Sequence, residues 1–286
     1  MTSRALAHKT MDVVALVKPR IMAMAVLTAA GAMTLAPVHI SLVRALLLVI
    51  GVGLIVGAAN TLNMWLERDV DCLMSRTKHR PLPDQRLMPH TALVAGALEG
   101  AISLPVLAVV GIVPAGLGLV ALLLYVGVYT PMKQRTHHAA WIGSVPGAMP
   151  ALMGWTAATG HIDLAGLAVF GVLFFWQIPH THAIGIYRQR EYDAAGMKTL
   201  SSAKGPTASR RAIRFYLLVQ VAISFVPWLL GVAGLPYVIA ATALGAMVLV
   251  QGLRGDGSAK WAREVFLASI VYMPILFAVM VVSGRA

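Results

Sequence analysis

The sequence predicts an all-α, polytopic membrane protein with nine transmembrane helices. Of the 286 residues, 58% are hydrophobic and only 12% are charged, whereas about 25% of the residues of a soluble domain are charged. The apolar residues form long blocks that are separated by short polar stretches, which is typical of helices that cross a bilayer. The predicted spans are residues 20–37, 43–66, 91–109, 111–130, 139–159, 163–187, 212–232, 234–252 and 264–283.

The distribution of basic residues predicts a cytoplasmic N-terminus and an external C-terminus. With this orientation only Arg44 and Arg285 of the 23 basic residues fall outside, as the positive-inside rule requires. Arg4 and Lys9 are the first of the basic residues that this orientation places on the cytoplasmic side. The net charge of +12 then reflects basic loops that face an anionic leaflet, so the expected partner is the lipid bilayer and no nucleic acid is needed.

The nine spans are predicted to form one integral-membrane domain, residues 1–286, whose first span is a retained anchor rather than a signal peptide. The third and fourth spans are separated only around Gly111 and Pro114, so a tight hairpin is expected there. Two long polar segments, 67–90 and 188–211, are predicted to be cytoplasmic loops. Because functional residues gather on loops that a rigid scaffold holds, function is expected at the cytoplasmic face.

Three polar residues at the end of the second span are the strongest functional signal. Asn63, Glu67 and Asp71 are spaced four apart, so a helix brings their side chains onto one face. Carboxylates at membrane depth are costly unless they hold a cation, and oxygen ligands favour a hard ion such as Mg²⁺, which usually binds together with a phosphate. The alternative is a solvated helix end with ion pairs such as Glu67 with Arg68, but three ligands in register favour the metal site.

Basic residues near this cluster could bind the phosphate. Arg76, Lys78 and Arg80 follow the acidic residues directly, and an arginine offers two parallel hydrogen bonds to a phosphate. Lys18 and Arg20 open the first span on the same side. They fix topology and reach the interface in one interpretation, and clamp a phosphate or propionate in the other.

The sixth span carries a second candidate half-site. If the helix continues from Trp176 to Glu191, then His180, Tyr187 and Glu191 share one face, with His182 facing another side. Glu191 could hold a second metal ion, and His180 lies roughly 16 Å deeper, at 1.5 Å per residue, where a large hydrophobic acceptor would sit. A histidine within the membrane is equally a helix-packing hydrogen-bond donor.

Residues 63–83, which read NMWLERDVDCLMSRTKHRPLP, closely resemble the first motif of the haem O synthases (protohaem IX farnesyltransferases) of the intramembrane aromatic prenyltransferase (UbiA-type) superfamily. The Asn-x3-Glu-x3-Asp part is shared by the whole superfamily, whereas the continuation from Met74 to Pro81 selects the haem branch. Three further stretches agree, namely Lys18-Pro19-Arg20, the segment from Gly147 to Trp155, and Trp176 to His180. The second motif departs, because Arg190-Glu191-Tyr192 stands where the family has Asp-Asp-Tyr.

The resemblance implies nine transmembrane helices around a central cavity that opens near the cytoplasmic face of a bacterial-type plasma membrane. It implies transfer of the farnesyl group of farnesyl diphosphate to a vinyl group of haem B, with water addition, to give haem O. Haem B would be a substrate and not a prosthetic group. A possible further partner is the downstream haem-modifying or oxidase-assembly machinery.

The resemblance also assigns roles to particular residues. Mg²⁺ bound with diphosphate would lie on Asn63, Glu67 and Asp71, with Glu191 as a further metal ligand. Arg76 and Arg80 would assist the leaving diphosphate. The substrate-binding residues would be Lys18, Arg20, Lys78, Tyr129, His180, Tyr187 and Lys198.

Two other functions remain open from the sequence. A prenyltransferase that acts on an aromatic quinone precursor would share the diphosphate site but would not need the pattern from Met74 to Pro81. A membrane transporter of an anionic ligand would bind at the basic face without releasing diphosphate, and would favour discontinuous helices in matched positions of two halves.

Overall fold

A computed structural model describes residues 3–284, with side chains for residues 10–284. This part of the chain consists of helices and contains no strand beyond one isolated bridge between Ala233 and Gly284. The prediction of an all-α membrane protein is confirmed. The α-helices are α1 Ser3–Leu16, α2 Pro19–Leu35, α3 Leu42–Asp71, α4 Pro89–Val110, α5 Ile112–Leu123, α6 Thr130–Met132, α7 Ala139–Thr159, α8 Leu164–Tyr187, α9 Gln189–Ala194, α10 Leu200–Ser224, α11 Val226–Leu229, α12 Leu235–Leu253 and α13 Ala259–Val282, and a π-helical segment, Leu124–Tyr129, joins α5 to α6.

Each of the nine predicted spans coincides with a helix, although the count of membrane spans is approximate. Within residues 3–284, seven helical segments are long and apolar enough to cross a membrane alone, and α1 with α2 adds an eighth if the bent pair is one span. Helix α7 does not reach this threshold. It contains Pro146 and Pro150, and nearly every residue from Ala148 to Ala157 is buried. Because its neighbours shield it from lipid, α7 does not need the hydropathy of an outer helix.

Helix α1 is an element that the hydropathy pattern did not predict. It meets α2 at a bend of 51°, where Lys18 has the left-handed backbone values φ 51 and ψ 70 and Pro19 starts the next helix. Proline disfavours a helical conformation in the residue before it, so the chain must turn there. Arg285 and the side chains of Arg4 and Lys9, which the topology prediction used, lie outside the described residues.

The two segments that the sequence predicts as long cytoplasmic loops are partly helical in the structure. Helix α3 continues to Asp71 and α4 starts at Pro89, so the first loop is 72–88. The segment 188–211 was wrong as a loop, because it contains α9 and the start of α10. Hydropathy gave no signal there, since these helical turns are polar, and Gly205 (φ 83, ψ 165) kinks α10 before the apolar part begins.

The tight hairpin at Gly111 is confirmed: α4 ends at Val110 and α5 begins at Ile112. Arg44 lies beside it, at the end of the bundle opposite to Asp71. Its guanidinium donates hydrogen bonds to the carbonyl oxygens of Val110 and Ala157, which are free because a helix leaves its last carbonyls without partners. One cation therefore joins the ends of α4 and α7 to the start of α3.

Helix α7 packs closely against α2 through small residues. A β-carbon at Gly154 would collide with the backbone of Ala29, so only glycine allows this approach. Trp155, which is 2% exposed, follows it in the main apolar core. A smaller cluster of Leu16, Met64, Leu82 and Ala92 fastens α1 and the first loop to α3 and α4. These contacts fix the elements that surround the C-terminal end of α3.

Candidate active site

The last turns of α3 carry the three predicted metal ligands. Asn63, Glu67 and Asp71 are buried, with exposures of 1%, 8% and 1%, and all three line the same cavity. The helix therefore brings the residues spaced four apart to one place, about 12 Å from first to last.

Two lysines from distant segments hold the upper part of this row. Lys18 Nζ donates to Asn63 Oδ1 at 2.6 Å, and Lys133 Nζ pairs with Glu67 Oε1 at 2.7 Å. Asn63 Nδ2 donates to Glu67 Oε2 at 2.9 Å and to Thr130 Oγ1 at 3.0 Å. The amide oxygen of Asn63 and one carboxylate oxygen of Glu67 thus face ammonium groups.

The lower end of the row is held by the first loop. Arg80 Nη1 pairs with Asp71 Oδ2 at 2.7 Å, and Thr77 Oγ1 donates to the backbone carbonyl of Asp71 at 2.9 Å. The other carboxylate oxygen, Asp71 Oδ1, is buried and has no hydrogen-bond partner among residues 10–284. An unsatisfied buried acceptor is unfavourable, so this oxygen is free to bind a cation or a donor.

The lysines differ in electrostatic environment. Burial, with a smaller effect of the nearby Arg80 and Lys133, lowers the pKa of Lys18 to about 7. Burial alone would also lower the pKa of Lys133, but Tyr129 and Glu67 outweigh this effect and raise it above the ordinary value. Lys133 also lies 4.6 Å from the centroid of the Tyr129 ring. Lys133 is therefore the firmly charged partner, whereas Lys18 is the one whose charge the site disfavours.

The row opens into a cavity of about 230 Å³. Arg76 and Lys198 line it, and in residues 10–284 neither side chain makes a hydrogen bond or an ion pair. The same cavity is lined on other sides by Tyr125, Tyr129, His137, Thr181, His182 and Tyr192. It therefore combines two free cations with an aromatic and neutral wall.

Four predicted substrate-binding residues, Arg20, Lys78, His180 and Tyr187, do not line this cavity. Arg20 and Lys78 are exposed to solvent or lipid, and Tyr187 lies against Phe266 and Arg188. The ring of His180 packs between Trp176 and Phe266, at 4.9 and 4.8 Å between centroids. Substrate contacts of these four residues stay predictions.

Glu191 does not continue the face of α8. The predicted unbroken helix from Trp176 to Glu191 is wrong, because α8 ends at Tyr187 and Arg188 (φ −108, ψ 18) separates it from α9. Glu191 instead pairs with Arg188 at 3.1 Å and accepts a hydrogen bond from Ser75 Oγ at 3.0 Å. It touches the loop that follows Asp71 without lining the cavity, and its role as a second metal ligand stays a prediction.

The donor set fits a hard divalent ion whose coordination is completed by phosphate oxygens. The oxygens of Asn63, Glu67 and Asp71 are the ligand type that Mg²⁺ prefers, and the orphaned Asp71 Oδ1 offers a free position. Among the described residues, no group of three or more His, Cys, Asp or Glu side chains is placed to hold a metal ion. Two carboxylates and an amide therefore need further oxygens from a bound ligand.

The sequence reasoning missed Lys133, Thr130, Tyr125 and His182. Lys133 was counted among the inner basic residues, and its position directly after an apolar span was the available signal. Its contact with Glu67 joins residues 66 positions apart, so no spacing within one segment could reveal it.

Fold and site together define a polytopic helical membrane protein with a buried, cation-rich polar cavity at one end of its bundle. The model of the UbiA prenyltransferase family matches residues 24–282, which is most of the chain, and the chain belongs to that family.

Similar proteins agree with this assignment over nearly the full length. The chain is 44% identical over 277 residues to "Protoheme IX farnesyltransferase" of Anaeromyxobacter dehalogenans, covering 95% of this chain and 93% of that protein. A solved structure of digeranylgeranylglyceryl phosphate synthase has a TM-score of 0.82 at 16% identity, covering 96% of this chain and 98% of the other. A UbiA homologue from Archaeoglobus fulgidus, bound to DMAPP and Mg²⁺, has a TM-score of 0.70 at 17% identity, covering 94% and 99%. At these identities the two structures show a shared fold.

Proposed function

We propose that this protein transfers the farnesyl group of farnesyl diphosphate to a vinyl group of haem B, with addition of water, to give haem O. The diphosphate half rests on one observation: Asn63, Glu67 and Asp71 line one cavity together with the cations Arg76 and Lys198, which have no ion pair among residues 10–284. The acceptor half rests on the relatives named for protohaem IX farnesylation, of which one is 44% identical over 277 residues, and on the pattern from Met74 to Pro81.

Asn63, Glu67 and Asp71 would hold Mg²⁺, which when bound neutralises charge on the leaving diphosphate. The bound form of a UbiA homologue with DMAPP and Mg²⁺ supports this cofactor. Lys18 and Lys133, which now pair with the ligand side chains, would turn to phosphate oxygens once a cation takes their place. Arg76, Arg80 and Lys198 would donate further hydrogen bonds to the diphosphate.

The reaction breaks the bond between C1 of the farnesyl group and the diphosphate oxygen, which keeps the electron pair. The resulting allylic cation lies against the aromatic wall, where the ring faces of Tyr125 and Tyr129 stabilise it by cation–π contact. The vinyl carbon of haem attacks C1 and forms the new carbon–carbon bond. Water then adds its oxygen to the haem-side cation and loses a proton, which completes the balance.

We further propose that residues 1–286 form one prenyltransferase domain in a bacterial-type plasma membrane, with the cavity at the cytoplasmic face. The lysines and arginines around the end of α3 support this orientation by the positive-inside rule. Haem B, farnesyl diphosphate and the product would reach or leave the cavity beside the bilayer. Delivery of haem O to downstream haem-modifying or oxidase-assembly machinery is part of the same proposal.

The test supplies membranes that contain the full chain with farnesyl diphosphate, Mg²⁺ and one acceptor at a time, and resolves the products by mass. The proposal expects haem B to gain a farnesyl group and one water, with one diphosphate released per product. Prenylation of a hydroxybenzoate and not of haem would support the quinone-precursor enzyme instead. Uptake of farnesyl diphosphate without diphosphate release would support the transporter, and either result overturns the proposal.

A further inference from the structure

We infer that His182 binds the iron of the haem acceptor and thereby marks the acceptor side of the cavity. The inference rests on the proposed function, because haem B is the acceptor in that function and its iron is the metal that an imidazole would bind. The observation that carries it is a buried imidazole that lines the cavity without a polar partner.

His182 lies five residues before the end of α8 and is 7% exposed. It lines the cavity into which Asn63, Glu67 and Asp71 project. Within residues 10–284 its ring makes no hydrogen bond and no ion pair, and its nearest aromatic contact is the ring of Tyr216, with 6.3 Å between centroids. Buried polar groups are normally hydrogen-bonded, so this imidazole is ready for a ligand.

His180, two residues earlier on the same helix, serves as an internal comparison. Its Nδ1 is 2.7 Å from Ser269 Oγ, and its ring is enclosed by Trp176 and Phe266. Its hydrogen-bonding capacity is used in holding α8 to α13. The two histidines therefore divide into one that packs helices and one that faces the site.

The position of His182 also separates it from the phosphate side. The carboxylates come from α3 and the cations from Lys18, the first loop, Lys133 and Lys198, whereas Thr181, His182 and Gly185 form the wall on α8. A prenyl donor held by its diphosphate on one side requires the acceptor on the other, and a neutral imidazole is a common ligand of haem iron. His137 is the other histidine that lines the cavity.

The cavity of about 230 Å³ is smaller than the ~300–1,000 Å³ of typical pockets for small ligands. A porphyrin bound through His182 therefore extends beyond the cavity as it stands. The start of α10, with Thr199, Leu200 and Ser201, forms one wall of the cavity. It follows Gly196, whose φ is 69.

The experiment titrates ferric haem B into the purified full-length protein without farnesyl diphosphate and follows the Soret band and the EPR spectrum. Histidine-ligated haem is expected for the unchanged protein. The variant His182→Gly should lose that signature and bind haem at least tenfold more weakly, and added imidazole should restore the spectrum. The matched variant His137→Gly should keep the histidine-type spectrum. Loss of that spectrum in folded His180→Gly with His182 intact would assign the iron to His180 and overturn the inference.

Binding of farnesyl diphosphate with Mg²⁺, measured on each variant, confirms that the variant is folded. The inference is overturned if folded His182→Gly keeps the unchanged spectrum and affinity, or if the signature disappears with His137→Gly instead. A protein that converts haem B to haem O while its His182→Gly variant binds haem unaltered would refute the inference and leave the proposed function standing. Absence of haem binding by the unchanged protein would contradict both.

Discussion

Lys18 and Lys133 place ammonium groups on the oxygens that are proposed to hold Mg²⁺. Together with Arg80, which pairs with Asp71, this arrangement solves a problem of charge, because Glu67 and Asp71 would otherwise be buried without a counter-ion, which costs several kcal/mol per ion. In the proposed function, the same cations would bind phosphate oxygens when a metal and diphosphate arrive. At the residue scale, the charges of the carboxylates are therefore neutralised before the substrate binds. Binding of the metal and the diphosphate would then exchange these ion pairs for new ones.

The ion pair of Lys133 and Glu67 provides a test, because its contribution to the stability of the metal-free protein can be measured. The two side chains are only 17% and 10% exposed, so Lys133→Met should destabilise the metal-free protein by about 3 kcal/mol, since it leaves a buried charge unpaired. Adding Glu67→Gln should recover most of that loss. Thermal unfolding of the single and double variants in detergent gives the comparison, and equal stability of all forms would show that the pair is not structurally coupled.

Arg76 is expected to contribute to substrate binding without contributing to stability. It lines the cavity and has no ion partner among residues 10–284, so Arg76→Ala should raise the KM for farnesyl diphosphate by roughly tenfold, the loss of one charge-assisted hydrogen bond. The melting temperature should stay unchanged. Arg135→Ala removes an exposed cation outside the cavity and should leave the KM within about twofold. Similar effects of both variants would indicate a general loss of positive charge.

At the scale of elements, the site depends on helices that meet at close range. Helix α7 touches α2 at Gly154, where a β-carbon would strike the backbone of Ala29. Backbone contacts of this kind cannot relax by a side-chain rotation, so α2 or α7 must move. Lys18 precedes α2 directly, and a shift of α2 would displace it from Asn63.

Gly154→Ala should therefore destabilise the protein by about 1–3 kcal/mol, the usual cost of overpacking. The matched variant is Gly116→Ala in α5, where an added β-carbon meets nothing within 4 Å. It should be neutral or stabilising by about 0.5–1 kcal/mol, because alanine favours a helix over glycine. Unfolding temperatures of the two variants, measured in the same detergent, should move in opposite directions.

Element positions were predictable from sequence where hydropathy decides them, and unpredictable where it does not. Long apolar blocks predicted a helix at each of the nine positions and the hairpin at Gly111, although only seven or eight segments of residues 3–284 are long and apolar enough to cross a membrane. Helix α1 and the start of α10 were missed, because polar surface helices leave no apolar block. The break at Arg188 was missed because the helical spacing continues through it, and only the folded backbone shows that Glu191 belongs to α9.

At the scale of the whole molecule, the cavity is assembled from segments far apart in the chain. The row on α3 follows from its spacing of four, so the first half of the site was predictable. Lys133, Tyr125 and His182 were not, because their approach depends on how α3, the end of α6 and α8 pack together. The same packing explains why His180 faces α13 while its neighbour His182 faces the cavity.

The central claim is that this membrane protein uses the row on α3 to release diphosphate and farnesylate haem B. The most direct measurement compares Asp71→Asn with Asp69→Asn in membranes that are given haem B, farnesyl diphosphate and Mg²⁺, with haem O quantified by mass. Asp71 is 1% exposed and lines the cavity, whereas the carboxylate of Asp69 is 82% exposed beside Arg68. The account predicts that Asp71→Asn lowers product formation at least a hundredfold, as expected for loss of one group that stabilises developing charge. Product formation by Asp69→Asn should stay within about twofold of that of the unchanged protein. Unchanged turnover in a folded Asp71→Asn protein would contradict it.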